Sequence, residues 1–248
     1  MARSTFVTRY FMRIVSWAER LNLALSKVGN PPIYDKTIFP WTHAIEQEWR
    51  AIRTELERVL TRKEELPGFH ELSVDAASIT RDRGWKSFIL TGYGFRSANN
   101  INLCPQTWTV CRNIPGLISV MYSIMEPGKH LPPHRGPYNG VLRLHLGLIV
   151  PEPREQPGIS VENEIYRWRE GEAVIFDDAY EHEAWNHTTR AWCSSSISGN
   201  RFCFPPISST GCCCIWPSSR LSSEKAWITR RPGKRGFTRK PKRCGMGR

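Results

Sequence analysis

The sequence predicts a mainly β protein, a jelly roll or barrel preceded by helices. From Leu117 onward, short apolar runs recur between Pro, Gly and Asn, at the spacing of a strand-rich sandwich or barrel. Two amphipathic stretches lie upstream, where apolar residues return every three or four positions. His134, in a Pro- and Gly-rich turn, and His182, 48 residues further on, stand beside separate apolar runs. Two histidines at the rims of separate strands can hold a redox metal while leaving coordination positions open.

The first stretch covers residues 1–30. Phe6, Val7, Phe11, Ile14, Val15, Ala18, Leu21 and Leu25 form its apolar stripe, Arg9, Arg13, Arg20 and Lys27 occupy other faces, and Gly29-Asn30-Pro31-Pro32 stops it. Such a helix packs on the domain or lies on an anionic membrane surface, and Tyr10, Phe11 and Trp17 keep the second reading open. A second helix is expected over 42–63, with Ile45, Trp49, Ile52, Leu56, Val59 and Leu60 on one face. A strand follows at 85–94, then a short helix at 105–114. Further strands are expected at 117–125, at 140–150 carrying Arg143 and His145, in a polar hairpin at 151–165, and at 172–177.

At 248 residues the chain suits one main domain, placed at 31–190. Its formal charge of +12 is local. Residues 191–248 hold 12 of the 35 Lys and Arg but one acid, Glu224, so the tail carries +11 and the rest +1. Six of the eight cysteines also lie there, and no cleavable leader is recognised, so the expectation is a reducing, cytoplasmic setting, with the inner face of the membrane as an alternative. The sequence has no run of about 18 uninterrupted apolar residues, so no span of a bilayer is expected.

Spacing alone leaves the site open. A two-histidine-one-carboxylate iron site often reads His-x-Asp or His-x-Glu, but here the sequence is His134-Arg135-Gly136, so a zinc site or a structural histidine remains possible. Asp177 and Asp178 read as turn residues. However, Tyr122-Ser-Ile-Met-Glu-Pro-Gly-Lys-His130, Pro133-His-Arg-Gly-Pro137, Leu142-Arg-Leu-His-Leu-Gly-Leu148 and Ile175-Phe-Asp-Asp-Ala-Tyr-Glu-His182 together closely resemble the aspartyl/asparaginyl β-hydroxylase family, whose relatives include bacterial lipid A hydroxylases. The resemblance covers roughly 33–190. It implies a double-stranded β-helix, cupin-like, that binds Fe(II) through two histidines with glycine where the acid would stand.

On that resemblance, His134 and His182 are the metal ligands, and Ser123, Arg143 and His145 bind the cofactor 2-oxoglutarate, the guanidinium gripping a carboxylate through paired hydrogen bonds. The implied reaction hydroxylates an unactivated C–H bond of a peptidyl or lipid substrate, using dioxygen. Animal protein hydroxylases of the family carry an arginine two positions before the cosubstrate arginine. Val141 stands there, which turns the expectation toward the bacterial branch and an apolar substrate.

The resemblance stops after His182. The family continues with another cosubstrate-binding arginine about ten residues on, opening a strand that reads like Arg-Val-Val-Leu-Phe-Val-Asp-Phe. This chain offers Arg190 at eight, followed by Ala-Trp-Cys-Ser-Ser-Ser-Ile-Ser198, which predicts no strand. Read one base earlier, the codons of 191–198 permit Val, Val, Leu, Phe, Val, Asp and Phe. The expectation is therefore a tail read out of frame from about 191, disordered, with the last core strand lost and Arg190 a doubtful stand-in. Cys212-Cys-Cys214 as a metal site, or Arg230 to Arg248 as a nucleic-acid or membrane-binding arm, are the rival readings. The alternative function is a non-catalytic jelly-roll binding protein or a degraded relative without turnover.

Overall fold

In the strand Val141–Ile149, Leu142, Leu144, Leu146 and Leu148 alternate with Arg143, His145 and Gly147. Period-two alternation sends the leucines to one face and the guanidinium and imidazole to the other, so this strand must divide an apolar layer from a functional interior. The computed structural model, which describes residues 17, 19–136 and 139–201, shows that division.

The strands are β1 Ile33–Tyr34, β2 Trp85–Gly92, β3 Phe95–Arg96, β4 Leu117–Met125, β5 His130–His134, β6 Val141–Ile149, β7 Pro157–Val161, β8 Glu164–Tyr166, β9 Ala173–Asp177, β10 His182–Asn186 and β11 Trp192–Asn200. Seven form one sheet in the order β1-β9-β6-β11-β4-β2-β3, and four form a second in the order β5-β10-β7-β8, so the expected jelly roll is present. Between the sheets pack Met125, Leu131, Ile159, Val161, Trp168, Val174, Phe176, Ala184 and Trp192. The other face of the larger sheet is covered by helices α1 Thr42–Gln47, α2 Trp49–Leu60 and α6 Pro105–Cys111, whose Ile45, Ile52, Leu56 and Cys111 share a core with the β6 leucines. Glu55 of α2, buried, accepts hydrogen bonds from the Gln106 and Thr107 amides and the Thr107 hydroxyl. It thereby satisfies free donors at the start of α6.

The helix expected over 42–63 is broken at Glu48 and gives way to a 3-10 turn at Lys63–Glu65. Three short helices escaped sequence reading: α3 Phe69–Leu72, α4 Val74–Ile79 and α5 Ala98–Leu103. At four to six residues, each has too few periodic positions to stand out. Of the amino-terminal helix, residue 17 and residues 19–24 are helical, while 1–16 and 18 lie outside the described residues. No helix among the described residues is long and apolar enough to cross a membrane.

One expectation is overturned. The core strand held to be lost is present as β11, in the middle of the larger sheet, paired antiparallel with β4 and β6 along nearly its whole length. Residues 192–200 therefore form a strand, and residues 202–248 lie outside the described residues. The physical reason is that a slot between two strands is bound through backbone N–H and C=O groups, which every residue here carries, whereas the sequence reading weighed side-chain propensity. The side chains show the mismatch. Every residue of β11 is buried, yet the hydroxyls of Ser194, Ser195, Ser196 and Ser198 have no hydrogen-bond partner.

Candidate active site

His134 ends β5 and His182 begins β10, and the two are register partners across an antiparallel pair. Local sequence read His134 as a turn residue, because Pro132 and Pro133 precede it. An edge strand tolerates both prolines, and β5 is the edge of the smaller sheet. The imidazole centroids are 4.2 Å apart. Each Nδ1 bonds the backbone carbonyl two residues earlier, His134 to Pro132 at 2.8 Å and His182 to Tyr180 at 2.9 Å. A carbonyl only accepts, so both Nδ1 atoms carry the proton and both Nε2 atoms present lone pairs. Burial lowers both pKa values, that of His182 to about 4; the charge of Arg143 adds to the lowering at both rings and that of His134 at His182, so both rings favour the neutral form. Neutral rings oriented through Nδ1 are the form in which imidazoles bind metals.

Both histidines line a cavity of about 310 Å³ between the sheets, together with Ser123, Arg143 and His145. Ser123 Oγ accepts a hydrogen bond from Trp85 Nε1 at 2.9 Å, leaving its own proton to donate. His145 is enclosed by Trp168, Phe176 and Trp192. Burial, and after it Arg143, lowers its pKa to about 3, and its Nδ1 has no hydrogen-bond partner. Arg143 donates from Nε and Nη2 to Asp178, which leaves Nη1 for a further acceptor. Burial opposes its charge, but Asp178 and Tyr93 outweigh that and raise its pKa. The cavity thus holds a guanidinium, a hydroxyl proton and an orphaned imidazole nitrogen around two metal-ready imidazoles. That donor set fits a small cation chelated by a dicarboxylate.

Arg190 is not brought to this cavity. It is exposed in the turn between β10 and β11, where its carbonyl accepts from Asn186 and Thr188, and the side chain that turns inward is Trp192. Asp177 makes the turn expected of it, accepting from the Ala179 amide, and also pairs with the buried Arg201. Asp178 does more than turn the chain. An added Cβ at Gly136 would meet its carboxylate at 2.6 Å, so the glycine leaves room for an acid delivered from the turn between β9 and β10. Sequence reading missed this, and the only available signal was that two consecutive aspartates precede His182. It also missed the apolar side of the cavity, where Phe69, Ala76 and Ile79 of α3 and α4 face Ile89 and Met121.

The chain is thus a jelly roll that presents two neutral, inward-facing imidazoles beside a half-buried guanidinium. The sequence profile described as Aspartyl/Asparaginyl beta-hydroxylase matches residues 46–193. The chain belongs to the aspartyl/asparaginyl β-hydroxylase family, and its class of enzyme is hydroxylase. It is 58% identical over 190 residues to the "Ornithine lipid ester-linked acyl 2-hydroxylase" of Rhizobium tropici, which covers 77% of this chain and 68% of that protein. It is 37% identical over 148 residues to the "Aspartyl/asparaginyl beta-hydroxylase" of Homo sapiens, covering 57% of this chain but 18% of the human protein. Among solved structures, the cupin domain of an XRE-family regulator from Enterobacter cloacae is a loose likeness, 11% identical with a TM-score of 0.32 over 47% of this chain and 96% of that one.

Proposed function

We propose that the chain is an iron(II)- and 2-oxoglutarate-dependent hydroxylase acting on the acyl chain of a membrane lipid. The carrying observation is the histidine pair: two rings 4.2 Å apart, both with Nδ1 tied to a carbonyl and Nε2 free. His134 and His182 hold the iron, while Arg143 Nη1, the Ser123 hydroxyl and His145 Nδ1 orient the 2-oxoacid. Bound there, iron(II) with 2-oxoglutarate and dioxygen supplies the oxidation: one oxygen atom enters a substrate C–H bond, the other ends in succinate, and carbon dioxide leaves. The aromatic wall of Trp168, Phe176 and Trp192 keeps water from the reacting space. A lipid substrate is supported by the name of the rhizobial relative, by the apolar wall of α3, α4 and β2, and by Val141, buried where a peptide-binding arginine is expected in animal members.

The test is anaerobic addition of iron(II) and 2-oxoglutarate. A weak visible charge-transfer band and a raised unfolding temperature are expected, and His134→Ala should retain no iron. Neither band nor stabilisation, or unchanged metal content in the variant, defeats the assignment. A second reading, a metal-binding relative without turnover, is favoured by Arg190 lying outside the cavity and by the orphaned serines of β11. In that case the band forms but no succinate is released in air.

A further inference from the structure

The segment before β1 is amphipathic in the reverse of the usual sense. Asn22 faces the protein, where its amide donates to Asn139 Oδ1 at 3.0 Å and the Asn139 amide returns a bond to the Glu19 carbonyl at 3.0 Å. On the other side, Trp17, Leu21 and Leu25 follow one another at four-residue steps and are 65%, 41% and 57% exposed. Arg20, also exposed, flanks them. A helix that turns polar groups inward and an aromatic-aliphatic stripe outward loses free energy in water, and nothing among the described residues covers the stripe.

We propose that this stripe docks on an anionic lipid bilayer and holds the cavity mouth against the membrane surface, an inference that takes its purpose from the lipid-acyl reading above. Charge selects the occupant. Residues 1–30 carry five Lys and Arg against one Glu, a balance suited to anionic headgroups, and Trp with Leu beside Arg is the composition of a helix lying at an interface. Position gives the docking its use. Asn22 is tied to Asn139, five residues after His134, and the Asn30 carbonyl accepts from Tyr180, two residues before His182. The Pro32 carbonyl further accepts from the Asp177 amide. The segment is thus fastened to the loops that follow His134 and precede His182, and Arg135 and Gly136 on the first of them line the cavity. A membrane that takes the stripe brings the mouth to the lipid rather than waiting for a lipid to leave the bilayer.

The experiment is co-sedimentation of the full chain with vesicles of phosphatidylcholine containing about one-third phosphatidylglycerol. It is run at about 0.15 M salt, where the basic residues beyond 190 attract wild type and variant alike and the difference between them reads the stripe. The double variant Leu21→Glu, Leu25→Glu should bind at least about tenfold less than the wild type, with its unfolding temperature unchanged. Equal binding by variant and wild type overturns the proposal and moves attachment to the basic tail. No vesicle binding by the wild type, with a dimer that the variant breaks, overturns it in favour of a second copy as the occupant. Hydroxylation of detergent-dispersed lipid separates the two readings. A wild type that binds vesicles but oxidises no lipid fails as an acyl hydroxylase while the docking stands, and one that oxidises dispersed lipid without binding vesicles does the opposite.

Discussion

Ser195 is the sharpest place to test whether β11 suits its slot. Its side chain is fully buried on the helix-facing side of the sheet, opposite Tyr122 of β4 and Leu146 of β6 and between Cys193 and Ile197 along its own strand. Its hydroxyl has no hydrogen-bond partner. Leaving such a group unsatisfied costs about 1–3 kcal/mol. Ser195→Ala removes the hydroxyl without adding volume, so it should stabilise the protein by about 1–2 kcal/mol after a small loss of packing. In a chain of this size that amounts to a rise of roughly 3–6 °C in unfolding temperature. Ser195→Val adds methyl groups worth about 0.8 kcal/mol each where there is room, and loses about 1–3 kcal/mol where there is none. The pair therefore separates desolvation from packing. Thermal and urea unfolding, read by far-ultraviolet circular dichroism, measure both. A lower unfolding temperature for the alanine variant would mean that the hydroxyl has a partner, and the reasoning about β11 would be wrong.

Gly136→Ala places a Cβ against the Asp178 carboxylate and should dislodge it from Arg143, destabilising the protein by about 2 kcal/mol, since the guanidinium is partly exposed; an unchanged unfolding temperature would refute the packing account. His145 has a folded-state pKa of about 3 against an ordinary 6.5, so folding favours its neutral form, and its contribution is complete above about pH 6.5 and lost as pH falls toward 3. The apoprotein should therefore lose up to about 1.4 kcal/mol per pH unit below 6.5 relative to His145→Gln, and parallel stability curves for the two would contradict it. Sequencing the gene across codons 185–195 should reveal a change of frame, and an uninterrupted, repeatable reading with relatives that share Cys212-Cys213-Cys214 would remove that explanation.

What the sequence disclosed was whatever repeats or alternates. The Leu142 to Leu148 alternation placed Arg143 and His145 on the functional face of a strand, and the edges expected for the strands at 117–125 and 172–177 fall within a residue of β4 and β9. The histidine pair was legible as two residues, but its register partnership was not, since β5 and β10 meet only through the second sheet. Asp178 was hidden for the same reason. Its pairing with Arg143 spans 35 residues and depends on the absence of a side chain at Gly136, which no local pattern encodes.

The two views of β11 meet on one point. A sequence reading by propensity rejects the strand, because serines bury little apolar area and offer groups that need partners. The structure accepts it, because β4 and β6 would otherwise leave two rows of backbone groups unpaired in the centre of a sheet, each costing as much as a lost hydrogen bond. Backbone satisfaction wins across nine residues, and the unpartnered hydroxyls are what it costs. The histidine pair belongs to the smaller sheet and does not depend on β11, whereas Trp192 and Ser196 reach the cavity from it. If β11 is read out of frame, the histidine pair would stay in place and the side of the cavity formed by Trp192 and Ser196 would be altered. Retained iron binding with weakened 2-oxoglutarate binding is the signature to expect of this chain.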